Sequence, residues 1–341
     1  MAKQTHILVI RFSAMGDVAM TYPVLKSLLQ NYPELKITFL TRGFFKPIFS
    51  DLHQVEVFAG DLKGRHKGIA GLYRLSRELK ELNINAVADL HNVLRTKILR
   101  FFLKGIPFLQ IDKGRQDKKE LINGRIFKQL KTTSERYVDV FKELGFNFTL
   151  LPQIDVNRKP LPEAFLNVFP KKEKKWIGIA PFAAHVSKVY PIEQMKLVID
   201  VLEKDYQIFL FGSPGDEALK LEHISNKYTN VFNMAEKFNF GDELKIVSNL
   251  NVMVSMDSGN GHLAANFGIP VLTLWGVTHP YLGFAPYNKK INRGLMADRS
   301  SFPKIPTSVY GNRYPDGYET AISTIEPEQI IASARELLGQ D

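Results

Sequence analysis

Cysteine is absent from the 341 residues, which excludes disulfides and thiolate-bound zinc or iron–sulfur centres. Long apolar runs are absent too: nothing approaches the roughly 20 residues of a membrane-spanning helix. The short apolar run before Arg11 is too brief for a secretion signal, so the expected location is the cytoplasm. No G-x-x-x-x-G-K-[ST] stretch occurs, which excludes a P-loop. Neither Asp-x-Asp nor His-x-x-x-His is present, so no metal site is expected. Helix-turn-helix, aromatic RNA-binding and basic-heptad patterns are missing as well, so nucleic acid is not an expected partner.

The composition that remains is that of a globular chain, 45% hydrophobic and 23% charged, and long enough for two cores. Its charge is unevenly placed. Residues 1–150 carry 25 Lys and Arg against 14 Asp and Glu, a net of +11; the remainder holds 20 against 21. A basic first half suits an anionic partner, such as a phosphorylated lipid or a membrane face, as well as serving solubility.

Along the chain, short β-rich runs alternate with helical patterns. Strands are expected at 6–10, 35–41, 55–58, 86–90 and 106–111, and helices at 18–30, 69–82, from Asn92 to Phe102, and at 134–144. Five features interrupt the alternation between Leu150 and Lys175: Pro152, Pro160, Pro162, Pro170 and a lysine-rich run. The alternation resumes with strands at 176–180 and 207–211, reads as irregular from Thr278 to about Tyr318, and ends in a helix after Pro327. This predicts two doubly wound parallel-sheet halves. The expected boundaries are a first domain at 1–155, a linker at 156–175, a second domain at 176–326, and a C-terminal helix at 327–341 turning back toward the first domain.

The most informative stretch is Asn251 to Thr278, read as strand, turn, helix and strand. Ser258 is the expected N-cap, leaving helix N–H groups for an anion beside Asp257 and His262. Gly259-Asn260-Gly261-His262-Leu263-Ala264 fits G-x-G-x-x-A, but it lies late in the chain and no acidic residue follows until Asp298. A dinucleotide fingerprint opens its domain and has an acid about 20 residues on, so that reading fails. Asp17 after the first strand, the loop ending in Lys188, and the turn before Glu217 also sit at strand ends, where α/β sheets place function.

These motifs together resemble glycosyltransferase family 9, the bacterial heptosyltransferases. The carriers are Ile10 to Val18, Ala180-Pro181 with Lys188, Phe211-Gly212 with Glu217, Ser255 to Ala265, Gly268-Ile269-Pro270 and Trp275 to Thr278. The resemblance implies an α/β, GT-B fold: two Rossmann-like doubly wound parallel-sheet domains facing a central cleft. It implies inverting, metal-independent transfer of a sugar from a nucleotide-sugar, ADP-heptose in most members, with no obligatory cofactor. By the same resemblance Asp17 is the general base, Lys188 faces the diphosphate, and Glu217 lies near the ribose. Phe238 lies near the adenine, Asp257 meets the sugar, Ser258 and Gly259 offer N–H groups to phosphate, and His262 lies close by.

The acceptor this implies is an anionic lipopolysaccharide core or another lipid-linked glycan. Arg65, Lys67 and Arg95 are the expected acceptor contacts, with peripheral attachment to the cytoplasmic face of the inner membrane. Other open readings are a GT-B transferase or epimerase for a different nucleotide-sugar, and a non-catalytic glycan-binding relative. Asn260-Gly261 before the histidine departs from the commoner motif and bears on how the sugar is held.

Overall fold

A computed structural model describes residues 5–169, 173–288 and 290–339. The chain divides into two compact units: one comprises the chain to Lys113 with Thr133–Leu151, the other Gly114–Thr132 with Pro152 onward. Each is a doubly wound α/β unit with a fully parallel sheet.

The first unit contains β1 (His6–Ile10), α1 (Met15–Ala19), α2 (Thr21–Asn31), β2 (Lys36–Thr41), β3 (Val55–Ala59), α3 (Gly68–Glu81), β4 (Ala86–Asp89), α4 (Leu94–Phe102) and β5 (Phe108–Gln110). The chain then makes α5 (Arg115–Ile122) in the second unit and returns with α6 (Thr133–Glu143). The sheet order is β3-β2-β1-β4-β5. Continuous apolar strands such as His-Ile-Leu-Val-Ile form because both faces are covered. On one face Leu72, Leu75 and Leu79 of α3 and Leu99 of α4 pack against Leu8, Ile10 and Val87.

The second unit contains α7 (Glu163–Leu166), β6 (Trp176–Ala180), α8 (Ile192–Leu202), β7 (Gln207–Leu210), α9 (Asp216–Ser225), β8 (Val231–Asn233), α10 (Phe240–Val247), β9 (Val252–Met256), α11 (Gly259–Ala265), β10 (Val271–Trp275), β11 (Arg293–Met296) and α12 (Pro327–Leu338). Its order is β11-β10-β9-β6-β7-β8. Side-chain alternation assigns the two faces. Ile177 and Ile179 join α8 and α12 in one core, while Trp176 and Ala180 join Phe165, Phe209 and α11 in the other.

Five features differ from the sequence expectation. The helix expected at 18–30 is two helices meeting at Met20. The stretch read as irregular holds β11, whose Arg-Gly-Leu-Met carries little strand signal and pairs at the sheet edge with β10. The interval 114–132 leaves the first domain: Leu121 and Leu130 bury against Leu282, and the Leu130 N–H donates to the Tyr281 carbonyl at 3.0 Å. The expected linker is bonded to the second unit at its start. The Asn157 N–H donates to Phe267 O, Arg158 to Asn249 O, and the Lys159 N–H to Ser248 Oγ. Pro170–Lys172 of that linker lie outside the described residues, as do Gln340 and Asp341 of the C-terminal segment. α12, expected to turn toward the first domain, packs on α8, β9, β10 and β11.

Candidate functional site

In the first unit the winding reverses between β1 and β4, which are neighbours with Ile10 opposite Asp89. Loops leaving such a switch point diverge and leave a crevice at the carboxyl ends of the strands. The β1 loop brings Asp17 into the first turn of α1. Asp17 Oδ2 accepts from Arg11 Nη2 at 2.6 Å and from the Ala14 N–H at 3.0 Å. No contact to Oδ1 is recorded among the described residues. The Tyr137 hydroxyl donates to the Asp17 carbonyl at 3.3 Å, and Arg11 Nη1 donates to Leu90 O at 2.7 Å.

The β4 loop is organised by Asp89, which is fully buried. Its Oδ1 accepts the N–H groups of His91 and Asn92, each at 2.9 Å, and its Oδ2 accepts Gln110 Nε2 at 2.7 Å. His91 is thereby fixed beside the Asp17 loop. Burial, with Arg11 and Lys113 nearby, pushes its pKa down to about 3, so the ring is neutral. Its Nδ1 accepts the Phe12 N–H at 3.4 Å, which assigns the proton to Nε2.

In the second unit the winding reverses between β9 and β6, with Ser255 opposite Ala180. Lys188 follows β6 on a single 3-10 turn, and Asp257 follows β9. Lys188 Nζ lies 3.0 Å from Asp257 Oδ2, and both side chains are largely buried. Thr278 Oγ1, after β10, donates to the same oxygen at 2.9 Å, while no contact to Asp257 Oδ1 is recorded among the described residues. The loop carrying Lys188 sits against Gly276: a Cβ there would lie 2.3 Å from the Ser187 carbonyl oxygen.

Ser258 occupies the N-cap position of α11, as expected, but its hydroxyl makes no capping bond and is buried with no hydrogen-bond partner among the described residues. Its backbone is extended (φ −148°, ψ 179°), and the side chain does not satisfy the N–H groups of Gly259 and its successors. His262 is buried in α11. Gly261 is a packing position, because a Cβ there would lie 2.6 Å from Ser255 Oγ. The Asn260-Gly261 departure therefore lets α11 approach β9.

Glu217 and Phe238 share the rim but not the ion pair. Glu217 Oε2 accepts the Ser213 N–H at 2.7 Å and pins the turn after β7. Phe238, after β8, packs its half-buried ring 5.9 Å from that of Phe165. Across β9, β6, β7 and β8 the loops thus carry Asp257, Lys188, Glu217 and Phe238 in spatial order. Three strand spacings amount to roughly 14 Å.

The residues expected to meet an acceptor lie in the first unit. Arg65 pairs with Glu78, Lys67 is the residue before α3, and Arg95 is exposed on α4. Among the described residues no three His, Asp or Glu side chains gather as a metal site. Sequence reasoning missed the roles of Arg11, Asp89, His91 and Thr278. Arg11 and Thr278 were visible only as parts of motifs, and Asp89 and His91 lie at the end of a strand adjacent in space to β1 but far from it in sequence.

Comparison with known proteins supplies the context for this geometry. The family model described as "Glycosyltransferase family 9 (heptosyltransferase)" matches residues 72–308. The chain is 24% identical to lipopolysaccharide heptosyltransferase 1 of Campylobacter coli over 98% of its own length and 99% of that protein. A family 9 glycosyl transferase structure from Veillonella parvula superposes with a TM-score of 0.79 at 21% identity, covering 100% of this chain and 99% of that one. The structure of E. coli ADP-heptose lipopolysaccharide heptosyltransferase II gives 0.70 at 20% identity, covering 98% and 99%.

Proposed function

Because this chain belongs to glycosyltransferase family 9 and has its GT-B fold, we propose that it transfers heptose from ADP-heptose to a hydroxyl of a lipopolysaccharide core, with inversion. The observation that carries this reading is the pair of switch-point sites. One presents a carboxylate with an open oxygen, and the other a lysine held against a carboxylate. The acceptor hydroxyl oxygen attacks the anomeric carbon, and its proton passes to Asp17 Oδ1. The anomeric C–O bond breaks, and ADP departs with the electron pair. A single displacement inverts the centre.

Arg11 and the Ala14 N–H hold Oδ2, so Oδ1 faces the task without rotating. Lys188 offsets the charge that develops on the leaving diphosphate, assisted by the backbone N–H groups of Ser258 and Gly259. Asp257 Oδ1 accepts from a sugar hydroxyl. Glu217 and Phe238 serve the ribose and the adenine from their places along the rim. Arg65, Lys67 and Arg95 attract the anionic core.

The test is Asp17→Asn. A positioned base contributes about 10²–10⁴-fold, and the amide cannot take the proton. Turnover is expected to fall by that range, while the dissociation constant for ADP-heptose, measured by calorimetry, stays within about twofold. Turnover like that of the unmodified protein would remove Asp17 from the mechanism. A thermal-shift panel of ADP-, UDP- and GDP-sugars, with the largest shift from the ADP-sugar, checks the donor.

A further inference from the structure

The loop between β4 and α4 is built more firmly than a strand-to-helix turn requires. Asp89 is a fully buried carboxylate whose oxygens accept from the His91 and Asn92 N–H groups and from Gln110. Asn92 lies in the left-handed region (φ 45°), and its amide donates to the Ile111 carbonyl at 2.9 Å. A buried charge and a non-glycine residue at positive φ both cost stability, and such costs gather where a side chain must be held for a task. His91 stands between the two.

Two ties fix this imidazole against the loop that carries Asp17. Arg11 spans both loops: Nη2 reaches Asp17 Oδ2 at 2.6 Å, and Nη1 reaches the carbonyl of Leu90, the residue before His91, at 2.7 Å. The Phe12 N–H meets His91 Nδ1, and the Phe12 ring lies 5.9 Å from the imidazole. With Nδ1 engaged as an acceptor, the proton sits on Nε2, on the far edge of a half-buried ring. No hydrogen bond from Nε2 is recorded among the described residues. Burial, with Arg11, Lys113 and Arg95 around it, keeps the ring neutral, and Asp17 is within electrostatic reach. A neutral imidazole supplies no positive charge, and with Nδ1 engaged it is a poor base. What it offers the crevice is one N–H.

We infer that His91 Nε2–H donates to a hydroxyl of the acceptor sugar that flanks the attacking hydroxyl. One hydroxyl gives its proton to Asp17 Oδ1 while its neighbour accepts from His91, so the pair of groups matches two adjacent hydroxyls of a sugar ring. This role rests on the assignment of Asp17 as the base. It makes His91 a specificity-determining contact, since a site built to bond a substrate hydroxyl rejects the analogue lacking it.

The test assays the full chain with ADP-heptose and a delipidated lipopolysaccharide core, reading kcat/KM for the acceptor. His91→Ala is expected to lower it by about tenfold to a hundredfold, the range between a lost hydrogen bond and a misplaced reactant. The dissociation constant for ADP-heptose should not change. His91→Asn keeps an oxygen for the Phe12 N–H but places no donor at Nε2, so it should fall like His91→Ala. His91→Gln, whose amide reaches the Nε2 position, should recover most of the loss and keep the parent pH profile. The Asn and Gln variants should melt together, so that their difference in transfer is no folding defect. Among acceptors deoxygenated at one carbon flanking the attacking hydroxyl, one should cost the parent chain what His91→Ala costs on the intact acceptor. His91→Ala should lose nothing further on it.

Parental kcat/KM in His91→Ala would overturn the inference and leave the ring a packing residue. Additive losses with every deoxygenated acceptor would overturn it as well. Equal losses in His91→Asn and His91→Gln, with the acid limb of the pH profile abolished, would make the histidine the base instead. No turnover by the parent chain would overturn the Asp17 reading together with this one.

Discussion

Asp17 and Asp257 are held alike, each with Oδ2 accepting two donors and Oδ1 carrying no recorded contact among the described residues. A carboxylate fixed through one oxygen keeps the other aimed, which is what proton abstraction or sugar recognition requires. The donors differ in kind: Asp17 is held by a guanidinium and a backbone N–H, Asp257 by an ammonium and a hydroxyl. Thr278 is therefore a positioning residue for Asp257. Replacing it with Val removes a hydrogen bond to a charged group, a contribution of about 1.5–3 kcal/mol. Thr278→Val is expected to raise the dissociation constant for the donor about tenfold, and Thr278→Ser to restore it. Lys188→Ala should be worse, weakening both donor binding and turnover, because it leaves the buried Asp257 without its counter-charge. An unchanged donor dissociation constant in Lys188→Ala, measured by calorimetry, would remove the lysine from the site.

Between elements, the placement of Lys188 depends on a residue it does not touch chemically. Gly276 directly follows β10, and the Ser187 carbonyl passes so close that a Cβ would sit 2.3 Å away. Backbone cannot yield as a flexible side chain does, so Gly276→Ala must displace the 3-10 turn or the end of β10. A stability loss of about 1–3 kcal/mol is expected in denaturant melts, together with weaker donor binding. Gly261→Ala meets a serine hydroxyl instead, which has more freedom to move. Such close approaches explain why Trp275-Gly276-Val277-Thr278 is readable as a motif, although its sequence does not say what the glycine avoids.

For the molecule as a whole, pH should act through a few buried groups. Burial, with Arg299 nearby, pushes His279 down to about 4, and burial lowers His91 to about 3. Burial also lowers His6 and raises Glu243 to about 7. Unfolded histidine titrates near 6.5 and glutamate near 4.3. At about pH 5.5 the unfolded chain therefore holds two protons on His91 and His279, while the folded chain holds one on Glu243. The unfolded state binds more protons, so stability rises with pH through this window and is lost as pH falls from about 6.5 toward the folded histidine values. The melting temperature is expected to drop by a few degrees between about pH 7 and about pH 5. Glu243→Gln removes the opposing proton and should steepen that drop.

The sequence by itself determined the two alternating halves, the excess positive charge of the first, and the identity of Asp17, Lys188, Glu217 and Asp257 as candidates. Each of these is local: a strand's apolar run, a loop at its end, a count of charges. Tertiary structure alone decided that residues 114–132 join the second unit, that Arg-Gly-Leu-Met is an edge strand, and that Asp89 organises the loop carrying His91. It also decided that the Ser258 hydroxyl leaves its helix uncapped and that Leu94 and Phe101 point outward rather than into a core. The physical reason is common to all five. Each depends on which surface lies across from a residue, and in a parallel sheet adjacent strands can be separated by tens of residues, as Ile10 and Asp89 are.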